Sequence, residues 1–154
     1  MNIFYLDESP KRAAADHCDK HVGKMLIETC QLLAAAQHLC GGSATYKLTH
    51  QNHPCAKWVR ESKEHYGWLV ELGLALGDEF EVRYGKRHKS GEVLKRELLQ
   101  PPAALSKGFQ PPPLAMPDEF RRADHVLAYR DYYHSKQAAF VMAWKTTKPA
   151  WWQA

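Results

Sequence analysis

Prolines and glycines cut this chain into windows, and inside those windows the apolar residues recur with a helical period. Ser9 then Pro10 reads as an N-cap with proline in the first turn, where its missing N–H costs nothing. Gly41 and Gly42 stop what begins there, which predicts a first helix over about 10–39 with Gly23 as its candidate interruption. A second begins near Pro54: Trp58, Val59, Tyr66, Leu69, Leu72, Leu76 and Phe80 keep helical spacing until Tyr84 and Gly85 end it. Residues 101–117 carry six prolines, too many for helix or central strand, and are expected to form an irregular loop. A third helix is expected over about 118–144, opened by Asp118 and Glu119, whose charges suit a helix N-terminus. Residues 2–6 form a short extended lead-in. Few stretches alternate with period two, so the expected fold is all-α, one domain over 1–154 built from about three long helices.

Composition excludes several classes. With 45% apolar and 25% charged residues the chain carries enough material for a core, which argues against disorder or a fibrous repeat. No apolar run approaches the roughly 20 residues of a membrane span, and "MNIFYLDESPKR" lacks the layout of a signal peptide, so the cytoplasm is the expected location. Cys18, Cys30, Cys40 and Cys55 form no C-x-x-C pair, and reduced, mostly buried thiols are expected. His17, Cys18 and His21 share spacing that one metal can use, but no second ligand pair matches it, so no metal site is expected.

"DKHVGKMLIE", residues 19–28, loads a largely apolar helix with titratable groups. At 100° per residue, His17, His21, Lys24, Glu28 and Gln31 fall within an arc of about 80°. The rest of the helix surface is apolar or small, as expected of an enclosed helix. A polar stripe there is either satisfied by internal partners, such as a Lys24 to Glu28 pair, or lines a wet cleft.

Two further stretches carry candidate anion contacts. The net charge of +4 is unevenly spread: residues 83–96 hold Arg83, Lys86, Arg87, Lys89, Lys95 and Arg96 against Glu92. Such a run suits a phosphate backbone or a plain solvated face. In "THQNHPCAKWVRES", residues 49–62, Asn52 and His53 precede a helix N-terminus followed by Lys57 and Arg60; phosphate binding and simple turn capping both fit.

These segments together carry a resemblance. Asp19, Lys20 and His21, with Glu28 seven residues after the histidine, resemble the first helix of the pyrimidine-dimer DNA glycosylases, the family of phage endonuclease V. Asn52, His53 and Pro54 resemble the opening of the second long helix in bacterial relatives, and "KPAWW" resembles the aromatic tail. The whole chain is also similar to small phage-encoded members that begin "NIFYLD" and continue "CDKHV". The resemblance implies a compact all-α enzyme that binds damaged duplex DNA and releases a pyrimidine of a cyclobutane dimer. It implies an α-amino nucleophile that attacks the sugar C1′, with Glu28 as the catalytic carboxylate and His21 and Lys24 assisting. An α-amino group is easier to deprotonate than a lysine, which makes a chain terminus useful for imine chemistry. β-Elimination from the imine would then cut the strand.

Position 2 departs from the founding member: Asn2 is bulky enough to keep the initiator, so the amine falls on Met1 or, after removal, on Asn2. The lead from the terminus to Asp19 is longer, and Ile27 and Gln31 stand where family arginines hold phosphates. Lys20, Asn52, His53, Lys57, Arg60, Arg83, Lys86, Arg87 and Lys89 are the expected DNA contacts, with Trp151 and Trp152 either stacking on bases or closing the core. No cofactor is implied, the expected partner is double-stranded DNA, and a monomer is expected. Two other readings use the same residues: an enzyme that modifies a flipped, hypermodified pyrimidine, and a non-catalytic DNA-binding accessory protein.

Overall fold

The computed structural model describes residues 1–153. Its elements are α1 (Pro10–Asp16), α2 (Asp19–Leu39), α3 (Pro54–Glu61), α4 (Lys63–Tyr84), α5 (Lys89–Val93) and α6 (His125–Ser135). One π-helical turn, Leu94–Leu98, continues α5, and single 3-10 turns occupy Asp118–Phe120 and Lys136–Ala138. Among the described residues the only strand-like pairing is the isolated bridge between Ser62 and Ser106. The fold is all-α, and no described helix is long and apolar enough to cross a membrane.

Both long predicted helices are broken where tertiary hydrogen bonds replace the helix's own. The break in 10–39 falls at His17 and Cys18, which are extended, and Gly23 lies inside an uninterrupted α2. Arg83 Nη1 donates to the His17 carbonyl at 2.6 Å and Nη2 to that of Ala15 at 2.9 Å, while Trp144 Nε1 donates to that of Asp16 at 3.0 Å. Carbonyls that a continuous helix would have paired internally are thus taken from outside. Gly23 serves packing instead: a Cβ there would meet the Phe80 ring at 3.2 Å, so glycine lets α4 approach α2.

The second break falls at Ser62, whose side chain caps His65 N–H at 3.0 Å and donates to the Gly108 carbonyl. Lys63 N–H reaches the Ser106 carbonyl at 2.8 Å, so the proline-rich loop docks at this corner. The end of α4 is as expected, with Gly85 at φ +69°. The third helix is shorter than 118–144. Its cap is Asp124, which accepts from Leu127 N–H at 3.0 Å, and after Ala138 the chain leaves the helix and docks on α2, where Ala143 O accepts the Asp19 N–H at 2.8 Å. The unexpected α5 and its π turn bury Leu94 and Leu98, with Leu94 pressed onto Gly73.

Helix α2 forms the centre. Leu26, Cys30 and Leu33 are buried in one core that α4 closes with Tyr66, Leu69, Leu72 and Leu76. The lead-in enters this core as expected, with Ile3, Phe4, Tyr5 and Leu6 all buried. Its course beneath α6 sets where the chain terminus lies.

Candidate active site

The polar stripe of α2 meets the N-terminus of the chain. The α-amino nitrogen of Met1 lies 2.8 Å from Glu28 Oε1, with the carboxylate side chain only 15% exposed. The longer lead to Asp19 therefore does not keep the terminus from the helix. Lys24 forms no ion pair with Glu28, whose partner is the amine.

Asn2 fixes this arrangement from behind. Its Oδ1 accepts the Ile3 N–H at 2.8 Å, and its Nδ2 donates to the Ala115 carbonyl at 3.0 Å. Tyr129 and Cys55 also donate to Oδ1, at 3.4 and 3.5 Å. The Asn2 side chain thus anchors the terminus.

A cavity of about 310 Å³ opens in front of the Met1 and Glu28 pair, within the size range of small-molecule pockets. His21 and Lys24 line it from α2, Phe4 from the lead-in, and Tyr132, Lys136 and Phe140 from α6 and the segment after it. The Phe4 ring stacks on His21 at 5.3 Å and 6°, which fixes the imidazole plane. His21 Nδ1 lies 2.9 Å from the Tyr133 hydroxyl, and that hydroxyl also accepts the Cys18 N–H at 2.9 Å. Burial, with Lys24 and Lys136 adding positive charge, pushes the His21 pKa down to about 4, so the ring is neutral near pH 7. A second lysine thus enters the site: Lys136 Nζ is 2.9 Å from the Tyr132 hydroxyl and 4.1 Å from the centre of that ring.

Tyr132, Lys136 and Phe140 lie in the stretch whose spacing predicts a third helix, with nothing in that spacing to assign them to the site. The signal available was the density of aromatics and cations in "YRDYYHSKQAAF".

The expected DNA contacts divide in two. Lys20, Lys24, Asn52, Lys57, Lys86, Arg87 and Lys89 are exposed. Arg83 is not: its enclosed side chain bonds the two carbonyls described above, Asp19 Oδ1 at 3.2 Å and Glu79 Oε2 at 3.0 Å, so it belongs to the scaffold and lies out of reach of a phosphate. His17 also leaves the stripe, lying fully buried before α2 begins. His53 caps α3 by accepting Cys55 N–H at 3.0 Å. Burial lowers its pKa, helped by the positive chain terminus and His50. Arg60 Nη1 donates to the Gln51 carbonyl at 2.8 Å and braces the turn. Trp152 is buried, stacked on His134 at 4.7 Å and 12°, and Trp151 Nε1 donates to Asp16 Oδ2 at 2.8 Å. Trp152 thus closes the core, and Trp151, half-buried, packs against it.

Comparison with known proteins bears on this geometry. The family model described as pyrimidine dimer DNA glycosylase matches residues 1–91. No curated protein and no solved structure matches the chain. The matched region contains Met1, His21, Lys24 and Glu28 but stops short of Tyr132, Lys136 and Phe140, which form the opposite wall.

Proposed function

The chain belongs to the pyrimidine dimer DNA glycosylase family, and from that premise we propose that it releases the damaged pyrimidine through an imine formed on the α-amino group of Met1, with Glu28 moving the protons and an AP lyase step following. The observation that carries the reading is the 2.8 Å approach of the amine to Glu28 at the head of the 310 Å³ cavity. A nucleophile hydrogen-bonded to its base beside a space for the reacting atom is the arrangement that covalent catalysis requires.

The steps balance as follows. Glu28 takes a proton from the ammonium, and the freed lone pair bonds to C1′ as the C1′ to N1 bond breaks and the pyrimidine leaves with the electron pair. The nitrogen, now a secondary ammonium, gives its second proton to the departing pyrimidine, and the lone pair so freed forms the C=N bond as the C1′ to O4′ bond breaks, O4′ taking the proton that Glu28 holds, so that C1′ becomes an iminium and the sugar ring opens. Loss of a C2′ proton then expels the 3′ phosphate by β-elimination. His21 suits a donor role. A Tyr133 hydroxyl that gives its proton to His21 Nδ1 leaves the Nε2–H available to an oxygen of the substrate. Lys20, Lys24, Lys86, Arg87 and Lys89 supply the cationic surface for the backbone of the duplex.

The test is borohydride trapping on ultraviolet-irradiated duplex, on protein whose intact mass establishes the first residue. A covalent adduct confined to irradiated DNA and mapped to Met1 supports the reading. Base release without an adduct would transfer the attack to water, and an adduct on a lysine would remove the terminus from it. Turnover only on hydroxymethylated pyrimidines would favour a modifying enzyme.

A further inference from the structure

Helix α6 carries three tyrosines, and their hydroxyls are engaged differently. Tyr129 donates to the Pro113 carbonyl, and the Tyr133 hydroxyl bonds Cys18 N–H and His21 Nδ1, both at 2.9 Å. Tyr132 instead lines the cavity, where its oxygen accepts from Lys136 Nζ at 2.9 Å. Its own O–H has no acceptor among the described residues.

Lys136 is committed to this contact. Its ammonium lies 4.1 Å from the centre of the Tyr132 ring and 5.9 Å from that of Phe4, and it makes no ion pair among the described residues. A full positive charge therefore rests at the phenol oxygen, which strengthens the hydrogen bond that the O–H can give. Both residues lie beyond the stretch 1–91 shared with the family.

The amine and Glu28 stand at one wall of the cavity and this phenol at the other. Displacement at C1′ forms the new bond on the side away from the one that breaks, so attack by the amine sends the C1′ to N1 electrons toward α6. In a cyclobutane dimer C6 is saturated, and the electron pair arriving on N1 spreads onto O2 and nowhere else. O2 lies on the minor-groove edge of the base, where a donor reaches it while the nucleotide stays in the stack.

We propose that Tyr132 is a catalytic residue whose O–H donates a hydrogen bond to O2 of the departing pyrimidine, with Lys136 as the positioning residue that holds and polarises it. The inference rests on reading the cavity as the place of attack on C1′. The phenol keeps its proton throughout, because the pyrimidine takes the one given up by the attacking nitrogen. Its contribution is a donor aimed at charge that exists only as the C1′ to N1 bond breaks, the kind of contact that raises the rate without tightening binding.

The experiment follows single turnovers of the full chain on two duplexes, one with a thymine dimer and one with a ready-made abasic site, which has no base to expel. Tyr132→Phe is expected to slow scission of the C1′ to N1 bond, read as alkali-labile sites, about a hundredfold. Its cleavage and borohydride trapping of the abasic duplex should stay within about threefold of the parent's, and its affinity for the dimer duplex likewise. Lys136→Met should slow the dimer reaction about tenfold and add no further loss in the Tyr132→Phe background, because the lysine acts through the phenol. Circular dichroism checks the fold, and the phenylalanine keeps the ring on which Lys136 rests. Equal slowing on both duplexes, or an undiminished dimer reaction, overturns the role of Tyr132. A Lys136→Met loss that persists beside Tyr132→Phe overturns the pairing. Scission by the parent without any adduct, slowed by Tyr132→Phe, would sink the imine reading and leave Tyr132 in place; a parent that breaks no C1′ to N1 bond overturns both.

Discussion

The Arg83 guanidinium holds the Asp19 carboxylate at 3.2 Å across the junction of α1, α2 and α4. Asp19, the first residue of the D-x-H stretch, therefore orients the helix that carries His21 and Glu28, and its second partner, Lys145 N–H, fastens the segment that carries Phe140. Removing Arg83 leaves buried carbonyls of Ala15 and His17 without donors. Arg83→Ala should cost about 2–4 kcal/mol in urea unfolding, below the upper range for buried pairs because Asp19 and Glu79 keep some contact with water. A loss within about 0.5 kcal/mol would mean the junction is held by other contacts.

Surface lysines should behave in the opposite way. Replacing Lys86, Arg87 and Lys89 together with alanine should leave unfolding within about 0.5 kcal/mol for each site and lower the slope of log affinity against log salt by about 2–3. An unchanged slope would take this run off the DNA.

Two buried imidazoles set the acid limit of stability. Burial pushes the pKa of His17 down to about 3, against the pull of the Ala13 carbonyl, and that of His21 down to about 4. In the unfolded chain both return to about 6.5, so between the folded values and 6.5 the unfolded state binds more protons. Stability is therefore complete above pH 6.5 and falls as the pH drops, with a slope approaching about 2.7 kcal/mol per pH unit for the two together. Urea titrations at several pH values measure it. His17→Leu should remove about half of the slope, and an unaltered slope would assign the acid loss to other groups.

The depression of His21 has separable causes. Burial comes first, then Lys24, then Lys136. In NMR titration the double change Lys24→Met and Lys136→Met should raise the midpoint from about 4, without reaching the ordinary value because burial persists. A full return to about 6.5 would mean the ring is more hydrated than its stacking on Phe4 implies.

Local signals in the sequence survive into the fold where local forces decide. Ser9 and Pro10 start α1, Gly41 lies at φ +90° just past α2, and Gly85 ends α4. The breaks at His17 and Ser62 are invisible in the sequence because their causes, Arg83 and the carbonyls of Ser106 and Gly108, are distant in the chain. Arg83 itself was misread from composition, although it stands seven residues beyond Leu76, on the buried face that Leu69 and Leu76 define. The stripe of His21, Lys24 and Glu28 was legible from angular spacing alone. Its partners were not, since Met1 reaches Glu28 only through the buried course of residues 3–6, and Lys136 through a helix that ends earlier than its pattern indicates.

The contact between Met1 and Glu28 makes the position of the amine, and not its presence alone, the thing to test. One residue added ahead of Met1 moves the terminal nitrogen by up to about 3.6 Å, more than a hydrogen bond can span. The Met1 side chain is 3% exposed, so the extension must also find room at the cavity mouth. An extended protein should bind irradiated duplex with little change yet lose the borohydride adduct and at least about a hundredfold in base release. Glu28→Gln should give the same loss by a different route, keeping the amine in place but removing the group that takes its proton. The two changes made together should cost no more than either alone, because both disable one proton-coupled attack. Additive losses would mean that amine and carboxylate act in separate steps, and a fully active extended protein would remove the terminus from the reaction.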